Sequence, residues 1–397
     1  MWNCLFMGCS ALLCLQWIGI HFLGGHLPAQ FQALSSGLAI FGAAFLLSWS
    51  AELAQKDIPQ ALAIALLALI AVLPEYAVDM YFAWMAGKDP RYGAFAMANM
   101  TGANRLLIGV GWAAVALTFW VKTGKRAITL ESVHRIEILY LGLATVYSFV
   151  IPLKGRLDLV DAVALITLFI FYMRAASRAE HVEPEFEGPA ALIDSFGVGA
   201  RRLVTALMFV VSGFTIFVAA EPFAEGLLAT GRTFGIEEFL LVQWLAPLAS
   251  ESPEFIVAVL FALKAQPGTS MGALLSSKVN QWTLLIGMLP VVYSISAGNF
   301  QGMPMDSRQI EEMFLTAAQS LFAVAVLANL SFSLLEALAI FVLFSTQLLF
   351  PDPQFRLYYS YFYVSLALGL VIIKKDARES VLGLFSSRRV GSRSEKG

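Results

Sequence analysis

Runs of about 20 apolar residues recur along the whole chain, the length that crosses a bilayer as a helix. Two of these runs carry a proline and two carboxylates at their centres. The first is Ile70-Ala71-Val72-Leu73-Pro74-Glu75-Tyr76-Ala77-Val78-Asp79, inside an apolar run over 58–85. The second is Pro247-Leu248-Ala249-Ser250-Glu251-Ser252-Pro253-Glu254-Phe255, inside 239–263. An ionised side chain at the bilayer centre costs about 2.5–3.5 kcal/mol on insertion scales, so such groups cannot face lipid. The chain must fold as a helical membrane protein with a polar interior. Composition agrees: of 397 residues, 58% are hydrophobic and 14% charged, with mean hydropathy +0.73. Soluble domains have about 25% charged residues.

Twelve spans are predicted, at 2–23, 31–51, 58–85, 91–121, 132–152, 157–175, 203–224, 236–263, 268–297, 310–330, 332–350 and 356–373. The boundary between 310–330 and 332–350 rests only on Asn329, Ser331 and Ser333. The first run has neither a preceding Lys or Arg nor a convincing cleavage site, so it reads as a span and not a signal peptide. Assigned to alternating sides, the Lys and Arg residues of loops and span ends divide 17 to 7, and only Arg105 and Lys278, both inside spans, are left unassigned. The positive-inside bias then places both termini in the cytoplasm of a cell inner (plasma) membrane. Cys4, Cys9 and Cys14 all lie in the first run, which argues against a disulfide framework.

The chain repeats. Pro74 and Pro253 are 179 residues apart, and Gly109 and Gly287 are 178 apart. Each copy holds five spans, an odd number, so the second enters the membrane from the opposite side. Inverted repeats of this kind place transport sites near the midplane, where the repeats meet. The organisation reads as an extra N-terminal helix (1–24), a first repeat (31–175), a cytoplasmic linker (176–202), a second repeat (203–350), an extra C-terminal helix (356–373) and a basic cytoplasmic tail (374–397).

Glu75, Asp79, Arg105, Glu251, Glu254 and Lys278 are therefore expected to converge on a protein-lined centre. Glu75 and Asp79 are spaced i,i+4, and Glu251 and Glu254 i,i+3, so each pair shares a helix face. Pro74 and Pro253 each remove a backbone donor and free carbonyls, which suit hard cations. Asn99 and Ser250 read equally as ligands or as interhelical hydrogen-bond partners. Glu52 and Glu225 stand at comparable places in the two repeats, as helix ends or gates.

Each proline–carboxylate helix is followed by a second polar helix. These are Asn99-Met100-Thr101-Gly102-Ala103-Asn104-Arg105 and Ser276-Ser277-Lys278-Val279-Asn280-Gln281-Trp282-Thr283. The two pairs resemble the α-repeats of the calcium/cation antiporter superfamily, the sodium/calcium exchanger-like fold. Pro74-Glu75 and Ser252-Pro253-Glu254 match the end of the family's first motif. Asn99 to Asn104 match the second, and Asn280 with Thr283 match it loosely. The resemblance implies cation exchange by alternating access, with Glu75 and Glu254 as central ion ligands and Asp79, Glu251, Asn99, Asn104, Ser250, Asn280 and Thr283 around them.

Departures from the family pattern point to the coupling ion. Ala71-Val72 and Ser250-Glu251 stand where the family has Thr-Ser, and Leu107 and Thr283 where it has a later Asn or Asp. Arg105 and Lys278 add fixed or titrating counter-charge. Lys278 is expected beside Glu251 or Glu254, either as a proton carrier or as a permanent ion pair. This pattern favours a proton-coupled antiporter, Na+/H+ or Ca2+/H+, over sodium/calcium exchange. The alternative is a transporter of a small organic solute with the same fold. No Ser/His/Asp set, HExxH motif or paired-aspartate motif suggests an enzyme. No cofactor is expected beyond the transported sodium or calcium. The expected partners are inorganic cations, protons and the lipid bilayer, with no nucleic acid.

Overall fold

The computed structural model of this chain describes residues 2–25, 27–57, 72–178, 186, 188–350 and 352–373. A helix α1 (Trp2–Phe22) precedes the first repeat, which comprises α2 (Ala29–Ala54), α3 (Leu73–Ala86), α4 (Tyr92–Leu106), a π-helical turn (Leu107–Trp112), α5 (Ala113–Thr123), α6 (Arg135–Ser148), α7 (Val150–Lys154) and α8 (Leu159–Ala176). A short α9 (Gly188–Asp194) leads to the second repeat. That repeat comprises α10 (Val198–Phe234), α11 (Glu238–Leu263), α12 (Pro267–Asn280), a second π-helical turn (Gln281–Leu285), α13 (Ile286–Ala297), α14 (Ser307–Leu327) and α15 (Leu334–Leu349). The chain then enters α16 (Pro353–Ile373).

The repeats match in local detail. α5 and α13 both end on a glycine in the left-handed region, Gly124 and Gly298, which stops each helix at the same place. α8 and α15 both begin with a capping box, Asp158 with Asp161 and Ser333 with Glu336. Short strands β1 (Ala127–Thr129), β2 (Arg156–Leu157), β3 (Met303–Pro304) and β4 (Ser331–Ser333) pair across the repeats. β1 runs antiparallel to β4 and β2 to β3, so each two-stranded ribbon takes one strand from each copy.

Among the described residues, nine helices are long and apolar enough to span a membrane, not twelve. Of the other three expected spans, 58–85 lies partly outside the described residues, and only Leu73–Ala86 is seen. The segment 268–297 is helical as Pro267–Ala297 but polar through its middle, and Leu334–Leu349 is a shorter apolar helix. The span expected at 203–224 is much longer, Val198–Phe234, because Glu225 lies inside the helix and Gly235 ends it. The Glu225 carboxylate is met there by the Tyr81 and Tyr92 hydroxyls at 2.8 and 2.6 Å. Of the expected linker, residues 179–185 and 187 lie outside the described residues, as does the whole 374–397 tail.

α2 packs along α10, and α4 packs against α11. The second contact is set by a proline. Pro247 has no N–H to offer the Gln243 carbonyl one turn earlier. Gly102 of α4 lies directly against that carbonyl, and a Cβ on Gly102 would stand 1.8 Å from the oxygen. Small residues admit this approach in a membrane, where packing and not the hydrophobic effect holds helices together.

A Gly102→Ala exchange should therefore force α4 from α11 and destabilise the protein by roughly 1–3 kcal/mol, as overpacking does. Gly213→Ala, in open space on α10, should be neutral or stabilising. Melting temperatures of the two purified variants in detergent make the comparison, and equal melting points would refute the account of this crossing.

Candidate functional site

The crossing of α3 and α4 with α11 and α12 brings the intramembrane polar residues together. Pro74 falls in the first turn of α3, where its missing N–H costs nothing, and Glu75 follows it. On α11, Pro247 and Pro253 lie inside a continuous helix and bracket Ser250 and Glu251. Glu75, Asp79 and Glu251 are buried, at 2, 0 and 1% exposure. Glu254 is half-buried.

The residue that joins the two repeats at this point is Gln281. Its Nε2 donates to Glu75 Oε2 at 3.0 Å and to Glu251 Oε1 at 3.1 Å. The carboxylate bridged to Glu75 is thus Glu251, with Glu254 one turn further along α11. Glu75 lies within Coulombic range of Glu251, Asp79 and Glu254. Gln281 opens the second π-helical turn, and the first such turn follows α4 at the equivalent place. Such turns occur frequently at functional sites. Gln281 lies inside the second polar motif, but sequence reading passed over it because Asn280 and Thr283 filled the family pattern.

The amides of the site are committed to specific partners. Asn99 Nδ2 donates to Asp79 Oδ1 at 2.9 Å. The Tyr76 hydroxyl donates to Asn280 Oδ1 at 2.7 Å, a link between repeats that sequence reading missed. Asn104 donates to the Met100 carbonyl of its own helix and receives the Lys278 ammonium on its Oδ1 at 2.5 Å. The Ser250 and Thr283 hydroxyls donate back to the Ala246 and Val279 carbonyls at 3.1 and 2.5 Å. Such bonds leave hydroxyl lone pairs available to a ligand.

Six buried oxygens around this cluster receive no hydrogen bond: Glu75 Oε1, Asp79 Oδ2, Glu251 Oε2, Glu254 Oε2, Asn99 Oδ1 and Gln281 Oε1. Buried acceptors are normally satisfied, and an all-oxygen set is what hard cations bind. Among the described residues, no three acidic, histidine or cysteine side chains converge on one point as a ready metal cage. Gln281 stands between Glu75 and Glu251, so a cation that used both would have to displace its amide.

The two cations have different surroundings. Arg105 leaves the cluster. Its Nη2 meets Glu312 of α14 at 2.5 Å, and Arg356 of α16 meets the other Glu312 oxygen at 2.7 Å. The guanidinium also lies over Trp244, 5.1 Å from the ring centroid. Arg105, Glu312 and Arg356 are 2, 0 and 6% exposed, so this is a buried triad. Sequence reading gave neither Glu312 nor Arg356 a role at the site, because nothing near either residue marks its partner. With Arg105 drawn away, four carboxylates and Lys278 give the site a charge of −3 when all are ionised. Lys278 remains at the centre and is fully buried. Its ligands are the Asn104 side-chain and main-chain oxygens, the latter at 3.1 Å, and not Glu251 or Glu254.

Known proteins share this fold. The profile of the family described as sodium/calcium exchanger protein matches residues 30–177 and 204–351. A structure described as the crystal structure of the H+/Ca2+ exchanger CAX shares 47% identity and superposes with a TM-score of 0.92, covering 96% of this chain and 98% of that one. The sodium-calcium exchanger NCX_Mj, soaked with 10 mM Na+ and zero Ca2+, shares 15% identity with a TM-score of 0.53, over 86% of this chain and 100% of that one, and so shares the fold. No curated protein matches the chain. Both copies of its repeat fall within one family profile and its helices superpose on a 47% identical relative, so this chain belongs to the sodium/calcium exchanger protein family.

Proposed function

We propose that the chain exchanges Ca2+ for protons by alternating access, with Glu75, Glu251, Asp79 and Glu254 as the groups that take both ions in turn. The observation that carries this reading is the set of six buried, undonated oxygens, four of them from carboxylates, inside a membrane protein. The 47% identical relative described as a H+/Ca2+ exchanger supports Ca2+ as the cation and the proton as its counter-ion.

Coupling follows from competition for the same atoms. A carboxylate oxygen that holds a proton cannot ligate Ca2+, and one that ligates Ca2+ does not hold a proton. The divalent ion draws Glu75 and Glu251 onto itself and displaces the Gln281 amide, whose free Oε1 can then turn toward the cation. Asn99 fixes one Asp79 oxygen and leaves the other available. On release to the opposite side, protons take the place of the divalent charge, and the helices carry the protonated site back. The reading is one of transport and not of catalysis.

In proteoliposomes with an acidic lumen, added external Ca2+ should enter while the lumen turns alkaline. Glu75→Gln and Glu251→Gln, which keep size but lose the shared charge, should each lower this exchange by about tenfold or more with an unchanged melting temperature. Glu254→Gln should do the same if it completes the ligand set. Near-normal exchange in both Glu75→Gln and Glu251→Gln would refute the assignment.

Glu312→Ala should behave differently. Removing one partner of a buried pair leaves uncompensated charge and costs about 3–5 kcal/mol. The variant should lose yield and thermal stability, while whatever folds keeps its Ca2+ affinity. A variant of normal stability but weakened Ca2+ binding would instead place Glu312 in the ion pathway.

We also infer that both termini and the segment 176–202 face the cytoplasm of the plasma membrane, on the 17-to-7 division of basic loop residues. A cysteine introduced at Ser195, on a background lacking Cys4, Cys9 and Cys14, should resist impermeant reagents applied outside intact cells. Labelling from outside would reverse the topology.

A further inference from the structure

Lys278 is placed as a bound ion would be. Its ammonium is fully buried. It takes the Asn104 Oδ1 at 2.5 Å and the Asn104 main-chain oxygen at 3.1 Å, and lies over the Trp282 ring, 4.5 Å from the centroid. Two neutral oxygens and an aromatic face are ligands that suit sodium, potassium or a small ammonium ion equally well. The charges of Glu251 and Glu75 act on it from nearby, yet among the described residues no carboxylate ligates it. Asn104 lies close before the first π-helical turn, where the hydrogen-bond register changes. The 178-residue spacing of Gly109 and Gly287, which follow these two polar segments, lays Lys278 on Met100. The second copy of the polar helix therefore carries a charge where the first carries a thioether.

We propose that the Lys278 ammonium is a tethered monovalent cation, filling from within the chain a position in the transport site that a free alkali ion would otherwise take. This rests on reading the site as a cation pathway. It assigns Lys278 a fixed charge that does not travel and does not exchange. One positive charge is then permanently supplied beside Glu251 and Glu75, the remaining carboxylate charge is left to one divalent ion or to protons, and exchange is independent of Na+ and K+.

Chemical rescue tests this. In proteoliposomes, the parent's Ca2+-driven proton movement should be unchanged when choline chloride is replaced by NaCl, KCl or methylammonium chloride at constant ionic strength. Lys278→Ala, with the position open, should be slow in choline and recover about tenfold or more in at least one small cation, saturably. Its melting temperature in detergent should rise by a few degrees in the same salt, because a ligand that binds only the folded state stabilises it. The parent should show neither effect. If Lys278→Ala does not fold in choline, folding rescued by a small cation supports the proposal, and Lys278→Gln provides the second variant. The proposal is overturned if neither variant responds to any small cation in transport or in melting. It is equally overturned if neither folds in any salt, or if the parent responds as strongly as the variants. A parent that moves no protons with Ca2+ would count against the exchange reading alone, since the melting measurement requires no transport.

Discussion

Three carboxylates kept from both water and lipid, with a fourth half-buried beside them, must be answered inside the protein, and much of the helix arrangement follows from how they are answered. One amide, Gln281, bridges the two repeats by donating to Glu75 and Glu251. It links α3, α11 and the start of the second π-helical turn. Asn99 holds Asp79 from the next helix. Gly102 lets α4 approach α11 closely enough for these partners to meet. Each bond uses a neutral donor, which holds the carboxylates without cancelling their charge. That leaves them able to take an ion.

The repeat symmetry is broken within this centre. With Pro74 laid on Pro253, Glu75 corresponds to Glu254, but Asp79 corresponds to Ala258 and Glu251 to Val72. The extra carboxylate follows the shared one by a turn in the first copy and precedes it in the second. The end of α10 and the start of α11 line one cavity with Ala94 and Phe95 of α4, so α3 ends and α11 begins at the same face. Because the copies are inverted, Asp79 and Glu251 both lie toward that face. Inversion alone would give a site alike from both directions. These two positions make it directional.

Much of this was legible in the sequence. The apolar lengths fix the helices, the odd number of spans fixes the inversion, and the cost of burying charge identifies Glu75, Asp79, Glu251 and Lys278 as interior. The destination of Arg105 was not legible. The cost argument says that a buried cation needs a partner, and not which one. Glu312 and Arg356 stand more than 200 residues from Arg105 in the chain, and only packing brings them to it. Gln281 was hidden for another reason: a neutral amide carries no insertion cost large enough to stand out among polar neighbours. The extent of α10 was misjudged because a carboxylate was taken as a boundary, whereas Tyr81 and Tyr92 make Glu225 tolerable within the helix.

The two strand ribbons constrain how such a molecule can move. β1 with β4 and β2 with β3 are each made from both copies. They are reinforced by main-chain bonds from Leu130 to Leu330, Leu334 to Arg126 and Met305 to Gly155. The loops they join lie at opposite ends of α6 and α14, so the copies are stitched together at both membrane faces. Separating them as two rigid halves would break backbone hydrogen bonds at both seams at once. α2 and α10, which lie along each other, contribute no strand to either seam. The seams therefore tie together the helices that flank them, whereas this pair is joined to its neighbours by helix packing and side-chain contacts, as at Glu225 with Tyr81 and Tyr92.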